Sequence, residues 1–153
     1  MRIHLLRCNL LGVYTNYVLR INSDYAFCDM KIKIAVIEDE APIRELYRAK
    51  LDLEGYDVRT ANNGKDGLAL AESFLPDLLL LDIRMPEMNG DEMLEKLRGT
   101  TWGASMRVII LTNLSKDEAP SILRFLSVDR YIVKAHHTPR QIVDIVEEVI
   151  GIN

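Results

Sequence analysis

Leu78-Leu79-Leu80-Leu81-Asp82-Ile83-Arg84-Met85-Pro86-Glu87-Met88-Asn89-Gly90 is the stretch on which the fold turns. Its four consecutive leucines follow Pro76 with no polar alternation, which fits a short strand buried on both faces. Asp82 stands at the carboxyl end of that strand, and Pro86 to Gly90 make a loop. Met93, Leu94 and Leu97 then have the spacing of a short helix, which Gly99 stops. A buried strand, a polar junction and an amphipathic helix make one β–α unit.

The flanking sequence follows the same plan. Upstream, Ile32 to Ile37 is a nearly continuous β-branched run and reads as a first strand. The helix after it opens at Ala41-Pro42, where the missing N–H of proline costs nothing. Ile43, Leu46, Tyr47 and Leu51 give it an apolar face, and Gly55 ends it. Tyr56 to Ala61 reads as a second strand, Asn62-Asn63-Gly64 as a turn, and Leu68, Ala71 and Leu75 mark a second helix. Downstream, Val108 to Leu111 is a fourth strand and Tyr131 to Val133 a fifth. Ala119, Ile122, Leu123 and Leu126 predict a helix between them, and Ile142, Ile145, Val146, Val149 and Ile150 predict a last one. Five short strands alternating with five helices imply an α/β fold: a parallel sheet covered on both faces, with right-handed crossovers.

Composition narrows the function. The 153 residues suit one domain with a real core. A net charge of -4 provides no basic field for nucleic acid, so no direct nucleic-acid binding is expected. No apolar run reaches the 18 or so residues of a membrane span, and the apolar residues near the start lack a signal-peptide cleavage site. Cys8 and Cys28 have no metal-type spacing and are expected as free thiols in a reducing cytosol. Residues 1–29 show no clear period, and the pattern becomes regular at Met30. The expected division is therefore an N-terminal extension over 1–29, with Met30 as the native start, and a domain over 30–153. A native arm or helix docking on the domain is the other reading.

In an open parallel sheet the ligand site lies outside the carboxyl ends of the strands. The first strand is followed by Glu38-Asp39-Glu40, the third by Asp82, the fourth by Thr112 and the fifth by Lys134. An acid after a strand is often only a helix cap. A lysine has no capping role at a helix start, and four reactive groups on one rim are hard to explain as caps. Carboxylates without His or Cys make a hard oxygen site suited to Mg²⁺. Their mutual repulsion should raise at least one carboxyl pKa, and a lysine would offset it. A hydroxyl and an amine beside them suit phosphoryl transfer to an aspartate.

Ile34-Ala35-Val36-Ile37-Glu38-Asp39-Glu40, the Asp82-to-Gly90 stretch, Ile110-Leu111-Thr112 and Tyr131-Ile132-Val133-Lys134 together resemble the receiver domain of two-component response regulators, over roughly 31–151. The resemblance implies a flavodoxin-like (βα)5 doubly wound five-stranded parallel sheet of order 2-1-3-4-5. It implies Asp82 as phosphoacceptor, Asp39 as a direct Mg²⁺ ligand, Glu38 acting mainly through water, and the Arg84 backbone carbonyl as a further ligand. It implies Thr112 as the switch hydroxyl, Lys134 as the phosphate-binding lysine and Tyr131 as the aromatic whose rotamer follows phosphorylation. A histidine kinase or phosphotransfer protein would be the donor, and an unidentified downstream protein the target. A phosphorylation-dependent homodimer is one option. The protein would be a cytoplasmic phosphoprotein without an output domain, and not an enzyme beyond promoting its own phosphorylation and dephosphorylation.

This sequence departs from the family at two places. Ala135 follows the lysine where proline is usual, and Asn113 follows the switch threonine where a small residue is usual. Leu114 and Arg84 flank the acceptor and lead us to expect slow loss of the phosphoryl group. Three other readings fit the sequence less well. A protein-binding pseudo-receiver is disfavoured by the full set of acids, hydroxyl and lysine. An aspartyl-phosphate hydrolase would need a second aspartate where Arg84 stands. A flavodoxin-like nucleotide binder would need a Gly-rich loop after the first strand.

Overall fold

The computed structural model describes residues 18–21, 24–27 and 31–151. Val18–Ile21 (β1) and Asp24–Phe27 (β2) pair antiparallel as a sheet of their own, Val18 opposite Phe27. Cys8, Cys28 and the rest of the expected extension lie outside the described residues.

Five parallel strands make the main sheet: Lys33–Ile37 (β3), Asp57–Ala61 (β4), Leu78–Leu81 (β5), Arg107–Thr112 (β6) and Arg130–Val133 (β7). Their spatial order is β4-β3-β5-β6-β7, which is 2-1-3-4-5 when these five are counted alone. The α-helices are Ala41–Leu53 (α1), Gly64–Phe74 (α2), Gly90–Arg98 (α3) and Pro139–Ile150 (α4).

Side-chain alternation along each strand feeds two separate cores. Ile34, Val36, Leu78, Leu80, Ile109, Leu111 and Ile132 pack against Tyr47 and Leu51 of α1 and Ile142, Val143, Val146 and Ile150 of α4. Ala35, Ile37, Leu79, Leu81, Val108 and Ile110 pack against α2 and α3 on the other face. Each fully buried Leu or Ile contributes on the order of 2 kcal/mol of hydrophobic stabilisation. The unbroken Leu78–Leu81 run follows from this geometry, since a central parallel strand has no solvent face. Two of the four helices, α2 and α4, have side-chain N-caps. The Asn63 side chain accepts from the Asp66 amide, and Thr138 with Gln141 forms a capping box ahead of α4.

The segment expected to form a helix over residues 119–126 is instead a 3-10 turn, Ser121–Phe125. Leu123 and Leu126 are its two buried anchors, and a separation of three residues fits a 3-10 period. Ile122 and Phe125 face solvent, Phe125 being 80% exposed. Pro120 precedes the turn, and Ser127 ends it in the left-handed region at φ 51. Leu46, expected on the apolar face of α1, is likewise more exposed than buried neighbours Tyr47 and Leu51.

Parallel register brings the strand ends to a common rim. Ile37 lies beside Leu81, and Thr112 beside Val133. The next residues along β3, β5 and β7 are Glu38, Asp82 and Lys134, and β6 ends on Thr112 itself.

Candidate functional site

Lys134 organises the rim. It opens a short 3-10 turn over Lys134–His136, and its side chain is 6% exposed. It donates to Asp82 Oδ2 at 2.8 Å and to Glu38 Oε2 in a close ion pair. Two buried carboxylates thus share one buried cation. No described peptide bond is cis, so Ala135 continues the chain in the ordinary trans form.

Main-chain groups also hold Asp82. Its amide donates to Ile37 O at 3.0 Å, and its Oδ1 accepts from the Ile83 amide at 2.6 Å. Gly90 passes directly beneath: its amide donates to Ile83 O at 2.8 Å, and a Cβ there would stand 2.0 Å from Asp82 O. The loop between β5 and α3 can close under Asp82 only with glycine at that position. Neither acid caps a helix. The N-cap of α1 is Glu40 and that of α3 is Asn89.

Glu38 is 2% exposed, and its carboxyl is raised above the usual range. Burial is the leading cause, only partly countered by Lys134, and the Asp82 charge adds a smaller push in the same direction. Like-charge repulsion, the cause anticipated from sequence, is therefore secondary. For Lys134, burial is the largest single influence and acts downward. The hydrogen bonds and charges of Asp82 and Glu38 together outweigh it, and the ammonium is raised above its ordinary value.

Asp39 is exposed at the mouth. One carboxylate oxygen from each of Glu38, Asp39 and Asp82 lies within 4.8 Å of the other two. Among the described residues these three form the one group of metal-type side chains. Oxygen-only donors fit a hard divalent cation such as Mg²⁺ and offer nothing to a metal that prefers sulfur or imidazole.

Thr112 is 1% exposed, and its hydroxyl accepts from the Leu114 amide at 3.4 Å. Tyr131 is half-buried. Its hydroxyl donates to Leu114 O at 3.0 Å, with Ser115 O at 3.3 Å. Burial raises its phenol, and the charges of Glu118 and Asp82 add to that. Leu114 is itself buried in the α2–α3 core, while Asn113 and Arg84 are exposed.

Arg44 was not anticipated. From α1 its Nη1 donates to Glu38 O at 2.7 Å and to Asp39 O at 3.0 Å. A guanidinium thus sits beside the acids and ties down their backbone while occupying none of their carboxylate oxygens. A sequence signal existed: a cation near the positive end of a helix is disfavoured unless something local compensates. Arg130 and Arg140 make exposed ion pairs, with Glu148 at 2.6 Å and with Glu54 at 2.7 Å, and have the character of surface charge.

With this geometry in hand, a family model described as the response regulator receiver domain matches residues 34–147. The chain is 37% identical over 83 residues to the response regulator MprA of Mycobacterium tuberculosis, covering 54% of this chain and 35% of that one. It is 34% identical over 114 residues to the alkaline phosphatase synthesis transcriptional regulatory protein PhoP of Bacillus subtilis, covering 74% and 46%. The chain therefore spans less than half the length of these two relatives. A crystal structure of a CheY-like response regulator receiver domain protein from Methanospirillum hungatei JF-1 superposes with a TM-score of 0.72 at 29% identity, covering 79% of this chain and 94% of that chain.

Proposed function

The chain belongs to the response-regulator receiver family, and on that premise we propose that it is a phosphorylation switch of a two-component phosphorelay with Asp82 as phosphoacceptor. The buried Lys134 ammonium carries the reading. It bridges Asp82 and Glu38 in a site that surface ion pairing does not explain.

A histidine kinase or phosphotransfer protein presents a phosphohistidine at the rim. An Asp82 carboxylate oxygen attacks phosphorus; the P–O bond forms as the P–N bond breaks, and the imidazole leaves. Asp39 and Asp82 as direct ligands, Glu38 acting mainly through water and the Arg84 carbonyl as a further ligand would hold Mg²⁺, which would supply charge neutralisation there. Lys134 releases Asp82 Oδ2 and pairs with a phosphoryl oxygen, and the Thr112 hydroxyl donates to another. Drawing Thr112 inward disturbs its contact with the Leu114 amide. Tyr131, bonded to the carbonyls on either side of the next peptide, follows. Receiver domains are signalling switches, and in this one the chemistry is a local charge event that biases a two-state surface.

We place this exchange in the cytoplasm, with a protein as the downstream target, no direct contact with nucleic acid, and homodimerisation on phosphorylation as one output. No described helix is long and apolar enough to cross a membrane.

Intact-mass spectrometry after incubation with acetyl phosphate and Mg²⁺ tests the reading. The expected result is a gain of about 80 Da, one covalent phosphoryl group, that is lost in Asp82→Asn and without Mg²⁺. No gain under conditions that label another receiver would leave a fold used only for protein binding.

A further inference from the structure

Arg98, the last residue of α3, spends four donors on four backbone carbonyls. Its Nε donates to Leu126 O at 2.8 Å and Nη2 to Ser127 O at 2.8 Å. Its Nη1 donates to Gly103 O at 2.7 Å and to Met106 O at 2.9 Å. The side chain therefore joins the end of the β6–β7 connection to the start of β6. None of these carbonyls belongs to the phosphoacceptor site.

The two ends of the β6–β7 connection are held very differently. At the far end Arg98 takes two consecutive carbonyls. Asp129 clamps the next step, its carboxylate accepting from the Val108 amide at 2.7 Å and its own amide donating to Val108 O at 2.9 Å. Ser127, between these holds, has φ 51, a conformation that L side chains adopt only where their surroundings impose it. At the near end the polar fastenings are a 3.4 Å contact between Thr112 and the Leu114 amide and the shared hydroxyl of Tyr131, beside the buried Leu114 side chain. Residues 115–118 bond among themselves, Ser115 with the Glu118 carboxylate and amide. The near fastenings are the two side chains that the proposed switch would move.

We infer that Arg98 is a positioning residue that makes residues 126–127 the fixed pivot of the β6–β7 connection, so that phosphorylation swings residues 113–120 while the far end stays in place. The inference rests on the switch reading given above. It assigns the exposed Ile122 to the lever between the moving and fixed ends, where a small displacement at Thr112 becomes a change in the surface it presents.

Hydrogen exchange by mass spectrometry, on the full chain with and without beryllium fluoride plus Mg²⁺ as a phosphoryl mimic, tests it in wild type, Arg98→Met and Arg98→Lys. In wild type the mimic should change exchange in peptides covering 113–120 and leave those covering 123–129 unchanged. In Arg98→Met, exchange over 123–129 should rise about tenfold, the scale of one to two net hydrogen bonds, and the mimic's effect should spread into it. Arg98→Lys, which retains charge but not the fork, should fall between and remains informative if the Met variant fails to fold. Acetyl phosphate should still label Arg98→Met at Asp82 at the wild-type rate. If 123–129 responds to the mimic in wild type as strongly as 113–120, or if Arg98→Met leaves exchange over 123–129 as it was, the pivot is overturned and the switch reading stands. If the mimic changes nothing in wild type, the peptides around Asp82 included, the switch reading fails and the pivot falls with it.

Discussion

Lys134 holds Asp82 and Glu38 at once, so truncating it strands two charges that the fold keeps from water. Lys134→Met should destabilise the metal-free protein by about 3 kcal/mol, the low end for a broken buried pair because the site opens to solvent at Asp39, as read from urea midpoints. The lysine is raised in the folded state, so its contribution is complete below its ordinary value of 10.5 and drains away as pH rises through the folded value. Tyr47 and Tyr56, raised chiefly by burial, act in the same direction above 10.0. Urea midpoints should therefore drop as pH climbs past about 10, and less steeply in Lys134→Met. Glu38 has the opposite relation to neutral pH. Its raised carboxyl favours the neutral form, so its contribution is present below 4.5 and lost as pH rises through the folded value. Glu38→Gln should be more stable than wild type at pH 7 without Mg²⁺, and a less stable variant would count against burial as the leading cause. The acids, hydroxyl and lysine of this rim were all legible in the sequence, because each follows an apolar strand. Arg44 was not, because its partners are carbonyls, which leave no mark on residue identity, and the one signal, a cation near the positive end of a helix, names no partner.

Helices were legible where buried positions recur at helical spacing and a cap marks the start. In α4 both conditions hold, with Ile142, Val143, Val146 and Ile150 buried behind the Thr138 cap. Thr138→Ala should cost roughly 1 kcal/mol, measured by thermal or urea melts. The stretch at 119–126 has the apolar residues but not the environment. Two buried anchors three residues apart, Leu123 and Leu126, are satisfied by a single tight turn. Which of the apolar residues are buried is set by what packs against the segment, so local pattern could not reveal it. The β5–α3 loop carries a sharper requirement. Gly90→Ala would drive a Cβ against Asp82 O, and either the loop or the acceptor must move. Labelling by acetyl phosphate should fall well before global stability is exhausted, which parallel mass and melting measurements on that variant would separate.

Across the whole molecule, the strand order was recoverable because right-handed crossovers and two-sided burial leave few alternatives for five β–α units. The order in turn sets which strand ends meet, and so brings residues from four strands to one edge. If Mg²⁺ joins that edge, it binds the folded chain alone, and a hundredfold excess over its dissociation constant should add about 2.7 kcal/mol of stability. A thermal shift on adding Mg²⁺ in wild type, absent in Asp39→Asn, is the expected observation. The Lys134 contacts span 96 residues to Glu38 and 52 to Asp82. During synthesis the acceptor strand emerges long before the lysine that completes its surroundings. A nascent chain that has made β5 but not β7 holds its acids without their counter-charge. On the proposed reading, competence to receive a phosphoryl group would thus wait until β7 and Lys134 have been made, and shorter nascent copies would not be loaded.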